Sequence, residues 1–314
     1  MKLKVLFVCS GNTGNPSVLV KRQADSLVSQ GIDVDFFLIR GKGIAGYLKN
    51  ILQLKKYLKL NKYDIIHSHY SLSSFVASLA GARHMVVSLM GSDVKSSKFY
   101  VFIIHIFKLI FRWEILIVKS YDMMKNLGLK DAIVIPNGVD LFHFKPKDKL
   151  YCQKQLEWDT SKKHFLFASN PIRPVKNFKL IKKAFNILNN EVFKIHVLDN
   201  VPHKLVPIYM NASDAILLSS LWEGSPNVVK EAMACNCQIV STDVGDVRGV
   251  IENTKGCFIS TFEPEDVAKK INLALQFTKQ TNGREKIIEL GLDSNTIAKR
   301  IIEIYNGEFN EEVT

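Results

Sequence analysis

Residues 4–31 read KVLFVCSGNTGNPSVLVKRQADSLVSQG, and this stretch decides the fold class. Its start, Val5-Leu6-Phe7-Val8-Cys9, is a continuous apolar run rather than an alternating one, the pattern of a strand covered on both faces. A turn-rich loop, Ser10 to Asn15, follows. Apolar residues then recur at helical spacing from about Pro16 to Gln30, and Gly31 supplies the stop. Strand, loop and helix in this order form the unit of a parallel sheet.

The unit repeats along the chain. Apolar runs at 34–39, 65–67, 85–89, 115–118 and 132–135 continue it, with a long helical pattern over 44–60. After Pro136 the pattern breaks, and the polar stretch over 145–163 reads as an interdomain linker. Runs at 164–168, 194–198, 215–219, 238–241 and 257–259 then resume the alternation. This predicts an α/β protein of two Rossmann-like, doubly wound parallel-sheet domains, with ligands at the carboxyl ends of the strands. The expected division is 1–148, a linker at 149–163, a second domain at 164–292 and a terminal helical segment at 293–314.

A chain of 314 residues is long enough for two domains that each bury a core. No charged start followed by an apolar segment and cleavage site is evident, so a cytoplasmic location is expected. Cys235 and Cys237 lack a second pair to complete a zinc site, which points to reduced thiols and no structural metal. The net charge of +12 is unevenly spread: Arg40, Lys42, Lys49, Lys55, Lys56, Lys59 and Lys62 fall in a segment, 36–63, without one acidic residue. Such a segment favours an anionic partner, either a phosphate-rich ligand or a membrane surface. The helix over 44–60 interleaves Ile44, Tyr47, Leu48, Ile51, Leu52, Tyr57 and Leu58 with lysines. Two readings stand open for it: a helix lying peripherally on anionic lipid, or one that packs its apolar stripe on the sheet. The most apolar stretch, FYVFIIHIFKLIF at 99–111, is shorter than the roughly 20 residues a bilayer needs. It is expected to be a buried helix.

The chemistry concentrates in Trp222-Glu223-Gly224-Ser225-Pro226-Asn227-Val228-Val229-Lys230-Glu231-Ala232-Met233-Ala234. Glu223 falls in a strand-to-helix loop and Glu231 about two turns into the helix. Pro226 suits a first helical turn, whose free N–H groups can hold a phosphate. The two carboxylates suit sugar hydroxyls and a ribose diol. In the loop after the 164–168 strand, Arg173 and Lys176 are placed to neutralise a diphosphate. Asp33-Val34-Asp35 resembles a metal-binding D-x-D but begins a strand rather than ending one, and is rejected as a metal site.

These residues resemble family 4 of the retaining glycosyltransferases, of the two-domain GT-B fold, whose signature is E-x7-E. The resemblance extends through Glu231-Ala232-Met233-Ala234-Cys235-Asn236-Cys237-Gln238-Ile239-Val240 and Thr242-Asp243-Val244-Gly245. It implies two domains facing a central cleft, with Glu223 on the donor sugar and Glu231 on the ribose. Gly224, Ser225, Asn227 and Val228 would then line the sugar and diphosphate, with Arg173 and Lys176 as the clamp. Leu89-Met90-Gly91-Ser92-Asp93-Val94 resembles the family's His-Gly-Ser-Asp-Val turn, with Met90 in place of the histidine. Gly11, Asn12 and Gly14 of the first loop, with His69, Met90 and Asp93, would line the acceptor side. His67 shares a strand face with His69, and Asp93 is equally suited to capping its own turn. The chain departs from the family pattern at Gln238, Asp246 and Gly249.

The resemblance implies transfer of a sugar from a nucleotide-diphosphate donor to a glycan or lipid-linked acceptor in cell-surface polysaccharide synthesis. No metal or other cofactor and no nucleic acid partner is expected. Residues 294–305 would cross back to the first domain, and peripheral contact with the inner face of an anionic membrane is a further expectation. The rival readings are a sugar-nucleotide epimerase of the same architecture, a degenerate sugar-nucleotide-binding protein and, more distantly, an NAD-dependent oxidoreductase.

Overall fold

The computed structural model describes residues 2–41, 43–91, 93 and 98–308, with the backbone alone at 43 and 44. Lys42, Ser92, Val94 and the Ile44 side chain, all quoted above, lie outside the described residues. The chain forms two compact units, Met1–Gly138 with Ser294–Thr314, and Val139–Asp293.

The first unit holds β1 (Lys4–Ser10), α1 (Val18–Ser29), β2 (Asp33–Ile39), α2 (Gly43–Leu60), β3 (Ile65–His69), α3 (Ser71–Leu79), β4 (Met85–Ser88), α4 (Lys98–Ile110), β5 (Ile115–Val118), α5 (Tyr121–Leu127) and β6 (Ile133–Val134). Its six strands are all parallel, in the order β2-β1-β3-β4-β5-β6. Val5, Leu6, Phe7 and Val8 are each fully buried, as their unbroken apolar run requires of a strand sandwiched between helix layers. One face is covered by α1 and by the final helix (Ser294–Asn306), the other by α2 to α5. α1 starts at Val18 because the Ser17 hydroxyl accepts the Val20 N–H, leaving Pro16 outside the helix.

The second unit holds α6 (Lys149–Gln155), β7 (Lys163–Phe167), α7 (Phe178–Leu188), β8 (Phe193–Val197), α8 (Val206–Ala212), β9 (Ala215–Leu218), α9 (Asn227–Ala234), β10 (Ile239–Thr242), α10 (Val247–Ile251), β11 (Cys257–Ser260), α11 (Pro264–Gln276) and α12 (Gly283–Glu289); the final helix of the first unit is α13. The parallel strand order is β11-β10-β9-β7-β8. α7 and α11 cover one face, and α8, α9, α10 and α12 the other.

The structure departs from two sequence expectations. The segment 149–163 is not a linker: Asp148 caps α6 through the Tyr151 N–H, and Cys152 and Gln153 are buried, with Gln153 donating to the Ala212 carbonyl. Short polar helices lack an apolar run, which is why α6 reads as linker. The change of unit falls at 138/139 instead. Residues 99–111 are not a buried helix either: in α4 only Ile104 is fully buried, while Phe99, Phe102, Leu109 and Ile110 are exposed. A sheet face covers one stripe of a helix, and α4 is apolar on both its stripes.

Arg284 fastens the start of the second unit to its core. Its guanidinium donates to the carbonyls of Phe144 (2.8 Å), Leu141 (2.9 Å) and Ala234 (3.2 Å). Arg284→Ala leaves these carbonyls without their donor and is expected to destabilise the unit by about 2–4 kcal/mol, read as a lower urea midpoint.

Candidate active site

In the second unit the strand order reverses between β7 and β9, the switch point at which doubly wound sheets bind ligands. The loops leaving these two strands are tied together. Asn170 Oδ1 accepts the Ile172 N–H, and residues 174–176 close a 3-10 turn. The Ser219 hydroxyl, after β9, bonds to the carbonyls of Lys176 and Asn177, and Leu221 N–H donates to Val175. This stapling carries Lys176 to Glu223: Nζ lies 2.5 Å from Oε1, with both side chains largely enclosed. Ser220 Oγ donates to the same Oε1 at 2.6 Å. Oε2 of Glu223 carries no hydrogen bond among the described residues and remains available to a ligand hydroxyl.

The loop after β10 completes the floor. Thr242 Oγ1 donates to the Ser220 carbonyl. Gly245 has φ +60°, and a Cβ there would lie 2.6 Å from the Gly224 carbonyl oxygen, so only glycine lets this loop sit against Glu223-Gly224.

α9 begins at Asn227 after Pro226, whose carbonyl accepts the Val229 N–H. Behind this first turn stands a polar chain that sequence reading missed. Lys230 is 1% exposed. Its ammonium donates to Ser225 Oγ at 2.8 Å, and that hydroxyl donates to Asp246 Oδ2 at 2.5 Å. Burial pushes the Lys230 pKa down, while Asp246 and Glu231 oppose the shift. Ser225 is thus engaged from both sides, and its side chain supports the turn rather than facing outward. The departure at Asp246 explains itself: it is the carboxylate that the buried lysine needs. Asn227 Oδ1 is buried with no partner among the described residues, an acceptor a ligand N–H or O–H can use.

Glu231 lies on α9 with Oε1 3.8 Å from His203 Nε2. Arg173, the partner expected for Lys176, is exposed at the start of the 3-10 turn and makes no ion pair among the described residues. The structure therefore joins Lys176 to Glu223, and Glu231 to His203, but leaves Arg173 outside these pairs.

In the first unit the expected residues gather at the carboxyl ends of β1, β3 and β4. Gly11 N–H donates to the Ile39 carbonyl, Gly14 N–H to Gly11, and Asn12 Oδ1 accepts the Gly41 N–H, so this loop is held against the end of β2. An added Cβ at Gly11 would meet Leu38 Cβ at 2.5 Å. Asp93 is fully buried and accepts the N–H groups of Met90, Gly91 and Ser71. It is a turn and helix cap, which removes it from the ligand-facing set. Met90 is half-buried above this cap.

His67 is a satisfied core histidine, bonded to Tyr305 OH and Ser88 Oγ. His69 stacks on it at 4.4 Å between centroids and has neither ring nitrogen hydrogen-bonded among the described residues. Burial, then the nearby Lys119, lowers the His69 pKa to about 3, so the ring is neutral. Lys119, directly after β5, is 2% exposed and was not singled out from the sequence. Asp35 accepts from Tyr63 OH and pairs with Lys4, which gives Asp33-Val34-Asp35 a structural role at Asp35.

A family model described as "Glycosyl transferases group 1" matches residues 189–291, and one described as "Glycosyl transferase 4-like" matches residues 17–119. The chain is 25% identical over 323 residues to the UDP-Gal:alpha-D-GlcNAc-diphosphoundecaprenol alpha-1,3-galactosyltransferase of Escherichia coli, covering 85% of this chain and 80% of that protein. It is 26% identical over 308 residues to the N,N'-diacetylbacillosaminyl-diphospho-undecaprenol alpha-1,3-N-acetylgalactosaminyltransferase of Campylobacter jejuni, covering 82% and 81%. Among solved structures, the sucrose-phosphate synthase of Thermosynechococcus elongatus superposes with a TM-score of 0.77 at 16% identity, over 98% of this chain and 99% of that one. The Anabaena protein HepE, in complex with UDP-glucose, superposes at 0.74 and 16%, over 97% and 100%. The structural likenesses establish the GT-B fold, and a glycosyltransferase family model matches within each unit: the chain is a glycosyltransferase similar to the family 4-like members.

Proposed function

We propose that this glycosyltransferase moves a sugar from a nucleotide-diphosphate donor held by the second unit to a glycan or lipid-linked acceptor held by the first, with retention of configuration. The observation that carries this reading is the Lys176–Glu223 pair at the β7/β9 switch point, beside the first turn of α9. An ammonium and a helix N-terminus suit a diphosphate leaving group, while the unbonded oxygen of Glu223 suits a sugar hydroxyl. Arg173, exposed on the same turn, is the second cation of this reading. Glu231 takes the ribose diol, and Gly224, Asn227 and Val228 line the phosphate and sugar.

The names of the two curated relatives place their acceptors on diphosphoundecaprenol, which supports a lipid-linked acceptor and cell-surface polysaccharide as the product class. In this reading the transfer takes place at the cytoplasmic face of the membrane, where the acceptor meets the nucleotide-sugar donor. Lys176 and the α9 N-terminus supply positive charge without a divalent cation. Among the described residues no group of three His, Cys, Asp or Glu is placed to hold a metal ion.

The test is a panel of nucleotide sugars scored by thermal stabilisation, followed by transfer assays on the donor that binds. Glu231→Ala is expected to weaken that donor by about tenfold, the worth of one to two hydrogen bonds to a carboxylate. Donor consumed without acceptor would favour the epimerase reading. Donor binding with neither transfer nor hydrolysis would favour the degenerate one.

A further inference from the structure

α2, α3 and α4 lie side by side on one face of the first sheet, α3 touching both neighbours. α2 resolves the choice left open by its sequence. Leu54 is buried, and Tyr47, Ile51, Tyr57 and Leu58 pack on the core, so its apolar stripe is occupied. Lys49, Lys55, Lys56 and Lys59 are exposed around Leu48 and Leu52.

α4 differs. Its two polar interior residues are both engaged, His105 with the Leu127 carbonyl and Lys108 with the exposed carboxylate of Asp131. At 100° per residue, Phe99, Phe102, Ile103, Ile106, Leu109 and Ile110 then fall on one arc of about 120°, opposite the buried Ile104. Apart from Lys98 in its first turn, the exposed residues of this helix are apolar: Phe99 is 70% exposed, Phe102 58%, Leu109 80% and Ile110 65%. A helix that only covers a sheet shows polar residues there. With 13 residues α4 spans about 20 Å, too short to cross a bilayer but suited to lying within its interface. Among the described residues no helix is long and apolar enough to cross a membrane.

We propose that this face of the first unit docks on an anionic lipid surface, with the outer stripe of α4 inserted among the acyl chains and the lysines of α2 on the headgroups. Charge chooses lipid over a second copy of the chain. α2, α3 and α4 contain no Asp or Glu, so a two-fold contact through this face would set lysine against lysine. An anionic bilayer complements both features at once. The inference draws on the proposed lipid-linked acceptor only for its purpose; the surface itself stands apart from the donor site.

The experiment is co-sedimentation of the full chain with phosphatidylcholine vesicles, and with vesicles containing about one-third phosphatidylglycerol. Binding to the anionic vesicles and little to the neutral ones is expected. Phe102→Ser with Leu109→Ser, and separately Lys55→Glu with Lys56→Glu and Lys59→Glu, should each lower the bound fraction by about tenfold or more. These side chains are exposed, so both variants keep the parent melting temperature. Donor binding, measured by calorimetry without vesicles, stays unchanged, which separates failure here from failure of the proposed function. Equal binding to both vesicle types, absence of binding, or an apolar variant that instead abolishes dimerisation would each overturn the proposal.

Discussion

Lys176→Ala lowers kcat for sugar transfer by about 100-fold, with a smaller change in the KM for donor. The ammonium stands on Glu223, and in the proposed reaction it moves to the leaving diphosphate as the glycosidic bond breaks. Charge on that diphosphate grows toward the transition state, so the cation acts mainly on turnover. The substitution also leaves a largely enclosed Glu223 with Ser220 as its hydrogen-bond donor. A stability loss of about 1–3 kcal/mol therefore accompanies the kinetic effect. Assays well below the melting temperature of the variant separate the two, because a stability loss reduces active enzyme only near that temperature. A kcat within about twofold of the parent would remove Lys176 from the chemistry.

Asp246→Ala destabilises the second unit and weakens donor binding together. Lys230 is enclosed within α9, and its ammonium reaches Asp246 through the Ser225 hydroxyl. Without that carboxylate a buried charge loses its main partner, at a cost of about 3 kcal/mol. For a unit of this size the melting temperature falls by roughly 6–12 °C. The loss is specific to the charge: adding Lys230→Met, which fills the same space without an ammonium, recovers most of the stability. Non-recovery in the double variant would mean that Asp246 acts elsewhere. Because Ser225 opens the turn into α9, donor affinity falls in the single variant as well.

The two sheets were legible because their strands are buried on both faces. Val5 to Val8 and Ala215 to Leu218 have no solvent face, so their sequences carry uninterrupted apolar runs. The linker was misplaced for the opposite reason. α6 buries only a few side chains and depends on contacts with α8, more than 50 residues away in sequence, which no local pattern reports. α4 misled because apolar residues signal burial only when something covers them. Hydropathy alone cannot say that the sheet takes one stripe and leaves the other.

The candidate site divides in the same way. Glu223 and Lys176 were picked out after strand ends and Glu231 by its spacing along a helix, all three with the family resemblance, and the structure joins Lys176 to Glu223. Lys230 was not readable: a lysine inside a helix is ordinarily a solvated one, and its burial depends on Asp246 arriving from a different loop. Asp93 could be read either as a ligand-facing group or as a cap. Three backbone N–H groups converge on it, and a carboxylate so occupied is a cap. Lys119 escaped notice because it follows a strand singly, with no motif around it.

In the proposed reaction Lys176, Glu223 and Glu231 together form the donor site. A crystal structure of the intact chain soaked with the nucleotide sugar that stabilises it most is the direct test. The diphosphate is expected within hydrogen-bond reach of Lys176 Nζ and the α9 N-terminus, the ribose diol on Glu231 and a sugar hydroxyl on Glu223. A donor seated away from these three side chains would contradict this assignment.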